Sequence, residues 1–132
     1  MAVRFLNPDS LTKPVGYSHG AAGTGEAILL AGQIGCDESG AIAAPGDIVA
    51  QFALALDNML AVLREAGGGP DDLAHLRIFV IDVQAYRDNL KGLGAAWKER
   101  FGRRFPAMTL AGVTQLFDPD AMVELDGIAY VG

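Results

Sequence analysis

Apolar residues recur along this chain with two different periods. Between residues 47 and 66, Ile48, Phe52, Leu56, Met59, Leu63 and Ala66 fall on one stripe, widened by Ala55 and Val62. Steps of three and four predict an amphipathic helix. Asp47 stands where a carboxylate can accept the free amides of the first turn. Gly67, Gly68, Gly69 and Pro70 end the element. A second stripe, Val83, Tyr86, Leu90, Leu93, Trp97 and Phe101, predicts one helix over residues 83–101, with Gly102 as its C-terminal cap. Gly92 and Gly94 cost such a helix about 1 kcal/mol each relative to alanine. They point to a place where another backbone or a ligand comes close.

The remaining elements read as strands: Glu26–Ala31, Leu73–Ile81, Met108–Val113 and Val123–Val131. LRIFVI within the second is a nearly continuous apolar run, suited to a strand buried on both faces. In the last strand Val123, Leu125, Ala129 and Val131 alternate with Glu124, Asp126, Ile128 and Tyr130. One face of that strand is therefore apolar, and the other carries two carboxylates among hydrophobic residues. The small-residue stretches at 19–26, 39–47 and 66–72 read as turns or loops. The order is strands, helix, strand, helix, two strands, with the final two strands expected to be neighbours. Two amphipathic helices cover one face of such a sheet. With strands this apolar, the other face is expected to meet another subunit.

Composition narrows the class. The 132 residues form one expected α/β (α+β) domain, spanning 1–132, with 51% hydrophobic and 20% charged residues. A chain of this size buries about 65–70% of its unfolded surface, enough for a core without staples. The net charge of -6 disfavours non-specific nucleic-acid binding. The one concentrated basic segment, KERFGRR at 98–104, suits a solvated helix C-terminus. A single cysteine, Cys36, excludes an internal disulfide and a cysteine-rich zinc site. His19 and His75 lack ligand-like spacing, so no metal is expected. The N-terminal MAVRFLNPDS lacks the order of a signal peptide, and no apolar run reaches the ~18 residues of a membrane span. These features predict a cytoplasmic protein that binds neither membrane nor nucleic acid.

Several local patterns are weighed against simpler readings. Gly16-Tyr17-Ser18-His19-Gly20 matches G-x-S-x-G, but Pro14 precedes it and a glycine-rich turn into a strand follows. The strand–serine–helix elbow of hydrolases is absent, so Ser18 is not expected to be a nucleophile. Gly20, Gly23 and Gly25 do not follow the dinucleotide-binding order. Cys36 has no basic neighbour to lower its pKa and reads as an inert small residue. Glu124 and Asp126 share a strand face; where water is partly excluded, one could act as general base or hold a nucleophilic water. Spacing alone favours a pair of surface acids.

Taken in order, further residues form a set. They are Pro14-x-Gly-Tyr17-Ser18-His19, Leu30-Ala31-Gly32-Gln33-Ile34, the helix with Gln51, Leu56, Asn58, Met59 and Leu60, Phe105-Pro106-Ala107, and Val123 to Ala129 (VELDGIA). This ordered set resembles the Rid family, the reactive-intermediate deaminases also called RidA/YjgF, from about Tyr17 to Tyr130. The resemblance implies a chorismate-mutase-like fold and a homotrimer whose bare sheet faces pack into a central barrel, with sites in clefts between subunits. It implies hydrolysis of enamines or imines such as 2-aminoacrylate to a keto acid and ammonia, with no metal or organic cofactor. Glu124 matches the glutamate that positions the attacking water. Tyr17 matches the pocket tyrosine, and Gly32 and Gln33 match the Gly-Gln pair, with Ala31 in place of a serine. Gly94 stands where many members carry an asparagine. Met108, followed by Thr109, stands in place of the arginine that binds the substrate carboxylate. A guanidinium forks two charge-assisted bonds to a carboxylate and a thioether makes neither. At about 1.5–3 kcal/mol each, their loss is worth roughly two to four decades. The chain is therefore expected to be an enamine/imine hydrolase-like protein with altered substrate choice. A non-catalytic small-molecule-binding trimer is the alternative. A ribonuclease or translation inhibitor, an older label of the family, is disfavoured by the acidic balance and the lack of a catalytic histidine pair.

Overall fold

A computed structural model describes residues 2–132. In chain order the elements are β1 (Val3–Leu6), β2 (Gly20–Gly23), β3 (Glu26–Gln33), α1 (Ile48–Glu65), a short 3-10 turn (Pro70–Asp72), β4 (Leu73–Val80), α2 (Val83–Asp88), α3 (Leu90–Phe101), β5 (Ala107–Gly112) and β6 (Val123–Val131). The fold is a mixed α/β (α+β) arrangement. The four-stranded sheet has the order β3-β6-β4-β5, with β4 and β5 parallel and the other pairs antiparallel.

Helix α1 forms as its stripe predicts. Asp47 caps it, its carboxylate accepting the Ala50 amide. Gly67, at φ +83°, turns the chain away after Glu65. Phe52, Ala55, Leu56, Met59 and Leu63 press onto Leu76, Ile78, Val123, Leu125 and Ala129 of the sheet. Leu93, Ala96, Trp97 and Phe101 of α3 join the same cluster, so the helices lie on one face.

The single helix expected over 83–101 is two. It breaks at Asn89, whose backbone sits at φ -119°, ψ 20°. The Asn89 side chain donates to the Ala85 carbonyl at 2.7 Å. Asparagine competes in this way with the helical ladder. Gly92 faces Val49 of α1, where a Cβ would lie 3.0 Å from a valine methyl. The crowding at Gly92 therefore comes from a valine side chain of α1, where another backbone or a ligand was the expectation. Gly102 caps the end of α3 at φ +66°.

Two strands escaped the sequence pattern. Gly20–Gly23 lies inside the stretch read as a loop, yet it pairs antiparallel with Val3–Leu6. Its four residues, GAAG, carry none of the branched or aromatic side chains that mark strands. Gly23 packs directly against the Tyr130 ring, a place no side chain could share. The expected adjacency of the last two strands is also overturned: β4 lies between β5 and β6. The β4–β5 pair is parallel, and β6 returns beside β4 from the other side.

From Val123 to Tyr130 burial alternates residue by residue along β6, as the pattern predicts; Val131, expected on the apolar face, is only half-buried. The register puts Leu29, Ile128, Asp126, Arg77, Glu124, Phe79 and Thr109 on the face away from the helices. Leu29 on that face is 75% exposed. Among the described residues, no helix is long and apolar enough to cross a membrane.

Candidate functional site

The sheet carries chemistry on both faces. On the bare face, β3 contains a bulge. Leu30 pairs with Gly127 and Gln33 with Leu125, so three steps on β3 oppose two on β6. The extra residue falls at Ala31–Gly32. Bulges re-aim side chains and are frequent beside active sites. Here the bulge brings Gly32 onto Glu124: a Cβ at Gly32 would lie 2.5 Å from the carboxylate Oε2. Only glycine leaves that carboxylate its position.

Glu124 and Asp126 share this face, but their surroundings differ. Asp126 accepts two bonds from Arg77, from Nε and Nη2, each at 2.7 Å. That pairing raises the Arg77 pKa, chiefly through the hydrogen bonds. Glu124 has no ion-pair or hydrogen-bond partner among the described residues. Of the two carboxylates, it is the one free to hold a water or accept a proton.

The loop after the bulge is pinned by two motif residues of α1. Asn58 donates to the carbonyls of Ile34 and Cys36, at 3.0 and 3.2 Å. Gln51, 1% exposed, donates to the carbonyls of Ala44 and Asp120 and accepts the Met122 amide at 2.8 Å. A buried amide must be satisfied, and Gln51 does this by joining the loop before α1 to the one before β6. Gln33 stays local, donating to the Ala31 carbonyl at 3.3 Å.

On the helix-covered face lies a cavity in two adjoining lobes of about 270 Å³ each. The lobes share Gly16, Ile78, Tyr86 and Met108. Phe52, Leu93, Gly94, Trp97 and Phe105 line one, and Tyr17 and Leu110 line the other. Gly94 thus meets open space, since a Cβ there would touch nothing within 4 Å. Of the two glycines of α3, Gly92 thus faces a side chain of α1 and Gly94 faces the cavity. Burial pushes the Tyr86 phenol above its ordinary pKa, so it is a neutral hydroxyl.

The predicted site residues therefore fall into two groups. Tyr17 and Met108 meet in the cavity. Gly32 and Glu124 meet on the opposite face, which also carries Thr109. The expectation that Met108 and Glu124 come from adjacent strands fails, because Leu76 and Gly127 separate their register positions. Within one chain they do not share a cleft. Residues not anticipated as site residues are Tyr86, Ile78, Trp97 and Phe105, which come from three elements and a loop. Tyr86 carried one signal, being the stripe's only hydroxyl.

Ser18 has a structural task. It is 6% exposed, and its hydroxyl donates to the Phe105 carbonyl at 2.6 Å while accepting from Asn7. Its backbone bridges Ala107 at the edge of β5. The basic segment is also absorbed internally. Arg100 pairs with Asp57, and Arg104 lies 4.6 Å over the Phe5 ring and beside Asp71.

Relatives agree with this architecture. A RutC family protein of Pyrococcus abyssi is 28% identical over 130 residues, covering 98% of each chain. A Dermatophagoides farinae protein named 2-iminobutanoate/2-iminopropanoate deaminase is 27% identical, covering 97% of this chain and 96% of that one. The crystal structure of YyfB from Yersinia pestis, a protein of unknown function in the conserved Rid family, superposes with a TM-score of 0.88 at 29% identity, covering 99% of this chain and 100% of that one. The model of the family described as Endoribonuclease L-PSP matches residues 8–131. With nearly its whole length matched and its fold shared, the chain belongs to that family, the Rid or RidA/YjgF family.

Proposed function

We propose that this protein is an enamine/imine hydrolase with altered substrate choice, acting in clefts between the subunits of a homotrimer. The observation that carries the reading is the unpaired Glu124 carboxylate seated against Gly32 at the bulge. Its neighbour Asp126 is already neutralised by Arg77. In the reaction a water oxygen adds to the imine carbon as Glu124 takes its proton. The C=N electron pair moves to nitrogen, which is protonated. The C–N bond then breaks, ammonia leaves, and loss of the hydroxyl proton gives the carbonyl. No electrons are exchanged with a cofactor.

Two features support a site completed by a second copy. The Met108 cavity and Glu124 lie on opposite faces of one sheet, so a cleft using both draws on two chains. The bare face also presents Leu29 and Ile128, an apolar pair suited to burial against another copy. The name of the mite relative, an imine deaminase, supports the reaction class. A second reading, a non-catalytic binding trimer, is favoured by one observation: no cation lines the cavity where the family arginine would stand. For the ribonuclease reading, His19 offers little, its ring being held by the Thr12 carbonyl at 2.6 Å.

The test is ammonia release from oxidase-generated imines. Wild type should accelerate hydrolysis of at least one imine. Glu124→Gln should slow it by about two to four decades, with an unchanged urea midpoint. If wild type accelerates no imine, the hydrolase reading is lost and the binding protein stands. A stable monomer in sedimentation at micromolar concentration would remove the shared clefts.

A further inference from the structure

We infer that the Met108 cavity receives the apolar, carboxylate-free half of the substrate, a single aromatic ring bearing the imine carbon. This rests on the hydrolase reading above and names its substrate class.

The chemistry of the lining excludes an anion. Of the residues around both lobes, only Tyr17, Tyr86 and Trp97 have polar side-chain atoms, and none is a lysine, arginine or histidine. The Trp97 N–H is already committed to the Arg104 carbonyl at 3.1 Å. A carboxylate entering here would lose its water and gain no cation, the costly case for burying charge. Nor is a lysine or arginine within the lining to move toward it.

The shape favours a flat group. Trp97 and Phe105 lie nearly parallel, with an interplanar angle of 18° and ring centroids 6.2 Å apart. Phe52 and Tyr86 form an edge-to-face pair with centroids 6.5 Å apart. Aromatic rings add offset-stacked or edge-to-face neighbours readily. An apolar cavity of about 150 Å³ holds benzene, so one lobe of about 270 Å³ accepts a ring with a short substituent. Met108 adapts to the ring edge, since thioether sulfur packs well there. Tyr86, neutral, lining both lobes and without a hydrogen-bond partner among the described residues, offers a hydroxyl to donate to the imine nitrogen or product carbonyl, as does Tyr17 in the second lobe. The reaction implied is conversion of an aryl imine and water to an aryl aldehyde or ketone and ammonia.

Binding of products tests this without chemistry. Acetophenone and phenylglyoxylate differ only in a methyl group against a carboxylate. The probe is Trp97, whose indole N–H is the only one in the chain and gives one resonance in a nitrogen-15 spectrum. Acetophenone should shift that resonance and bind at least about tenfold tighter than phenylglyoxylate. Gly94→Phe, which fills the cavity without a backbone clash, should abolish binding, and Met108→Arg should reverse the preference. Equal or tighter binding of phenylglyoxylate to wild type overturns the inference. So does an absence of acetophenone binding by folded protein, the result expected if a second copy fills the cavity. If acetophenone binds but no imine is hydrolysed, the hydrolase reading fails and the cavity assignment stands. If 2-imino acids are hydrolysed while acetophenone is ignored, the reverse holds.

Discussion

The two faces of the main sheet are made from the same strands and obey different rules. Beneath α1 the helix-covered face is a closed apolar layer in which Leu56, Met59, Leu76 and Leu125 have no exposed surface, and toward β5 the same face opens into the Met108 cavity. The bare face interleaves leucine, isoleucine and phenylalanine with an ion pair and a free glutamate. The layer beneath α1 is completed within one chain; the bare face presents its apolar residues to the outside. Burial thus accounts for stability beneath α1, whereas the bare face and the Met108 cavity are the places where the proposed assembly and chemistry would lie. A leucine means different things on the two faces, and substitution can separate them.

The largest contrast is between Leu56 and Leu29. Leu56→Ala should cost about 2–5 kcal/mol in urea unfolding, because a closed core cannot fill the gap. Leu29→Ala should leave the folding of an isolated chain nearly unchanged, and Leu29→Asp should shift sedimentation from trimer toward monomer. Equal destabilisation by both alanine variants in dilute, monomeric protein would erase the distinction between the faces.

Met108→Arg asks whether the faces meet in one cleft. The new guanidinium enters a cavity with no carboxylate in its own lining. Its counter-charge must come from outside that lining, from substrate or, in the proposed trimer, from Glu124 of another copy. The folded, trimeric variant should gain at least about tenfold on 2-imino acids, or about 1.4 kcal/mol. No gain would place Glu124 outside the cleft that Met108 serves. Ser18→Ala should cost about 1 kcal/mol, the scale of one hydrogen bond, and change any hydrolytic rate less than about threefold. A loss of three decades with folding intact would restore Ser18 as a nucleophile. Smallest is Gly94→Ala, expected to add up to about 1 kcal/mol of stability by helix propensity alone, read as a higher urea midpoint.

What the chain reveals before folding follows the same division. Helix α1 was legible because its stripe, its Asp47 cap and its terminal glycines all agree. The β6 alternation was legible because its two faces differ in polarity. The break at Asn89 was not, since the apolar stripe runs through it and a single side-chain bond decides it. β2 was hidden because Gly20–Gly23 owes its strand to pairing with β1 rather than to its own residues. The insertion of β4 between β5 and β6 is a long-range pairing with no local signal. Family resemblance singles out Gly32 and Glu124 separately as site residues; that they touch is decided by the bulge, which no local pattern marks. The cavity was half legible. Met108 and Tyr17 stood out, but its aromatic walls come from separate elements and join only in three dimensions.

The Ser18 latch also bears on the order in which this molecule assembles. Its hydroxyl reaches a carbonyl 87 positions along the chain. Closing a loop that long costs about 4 kcal/mol of chain entropy, more than one hydrogen bond returns. The latch must therefore wait until β4, β5 and β6 have already drawn Phe105 into place. Docking of the N-terminal hairpin is then a late step in folding and an early one in unfolding. In native-state hydrogen exchange the Ser18 amide, bonded to the Pro106 carbonyl at 3.0 Å, should exchange through a local opening well before the amides of β4 and β6.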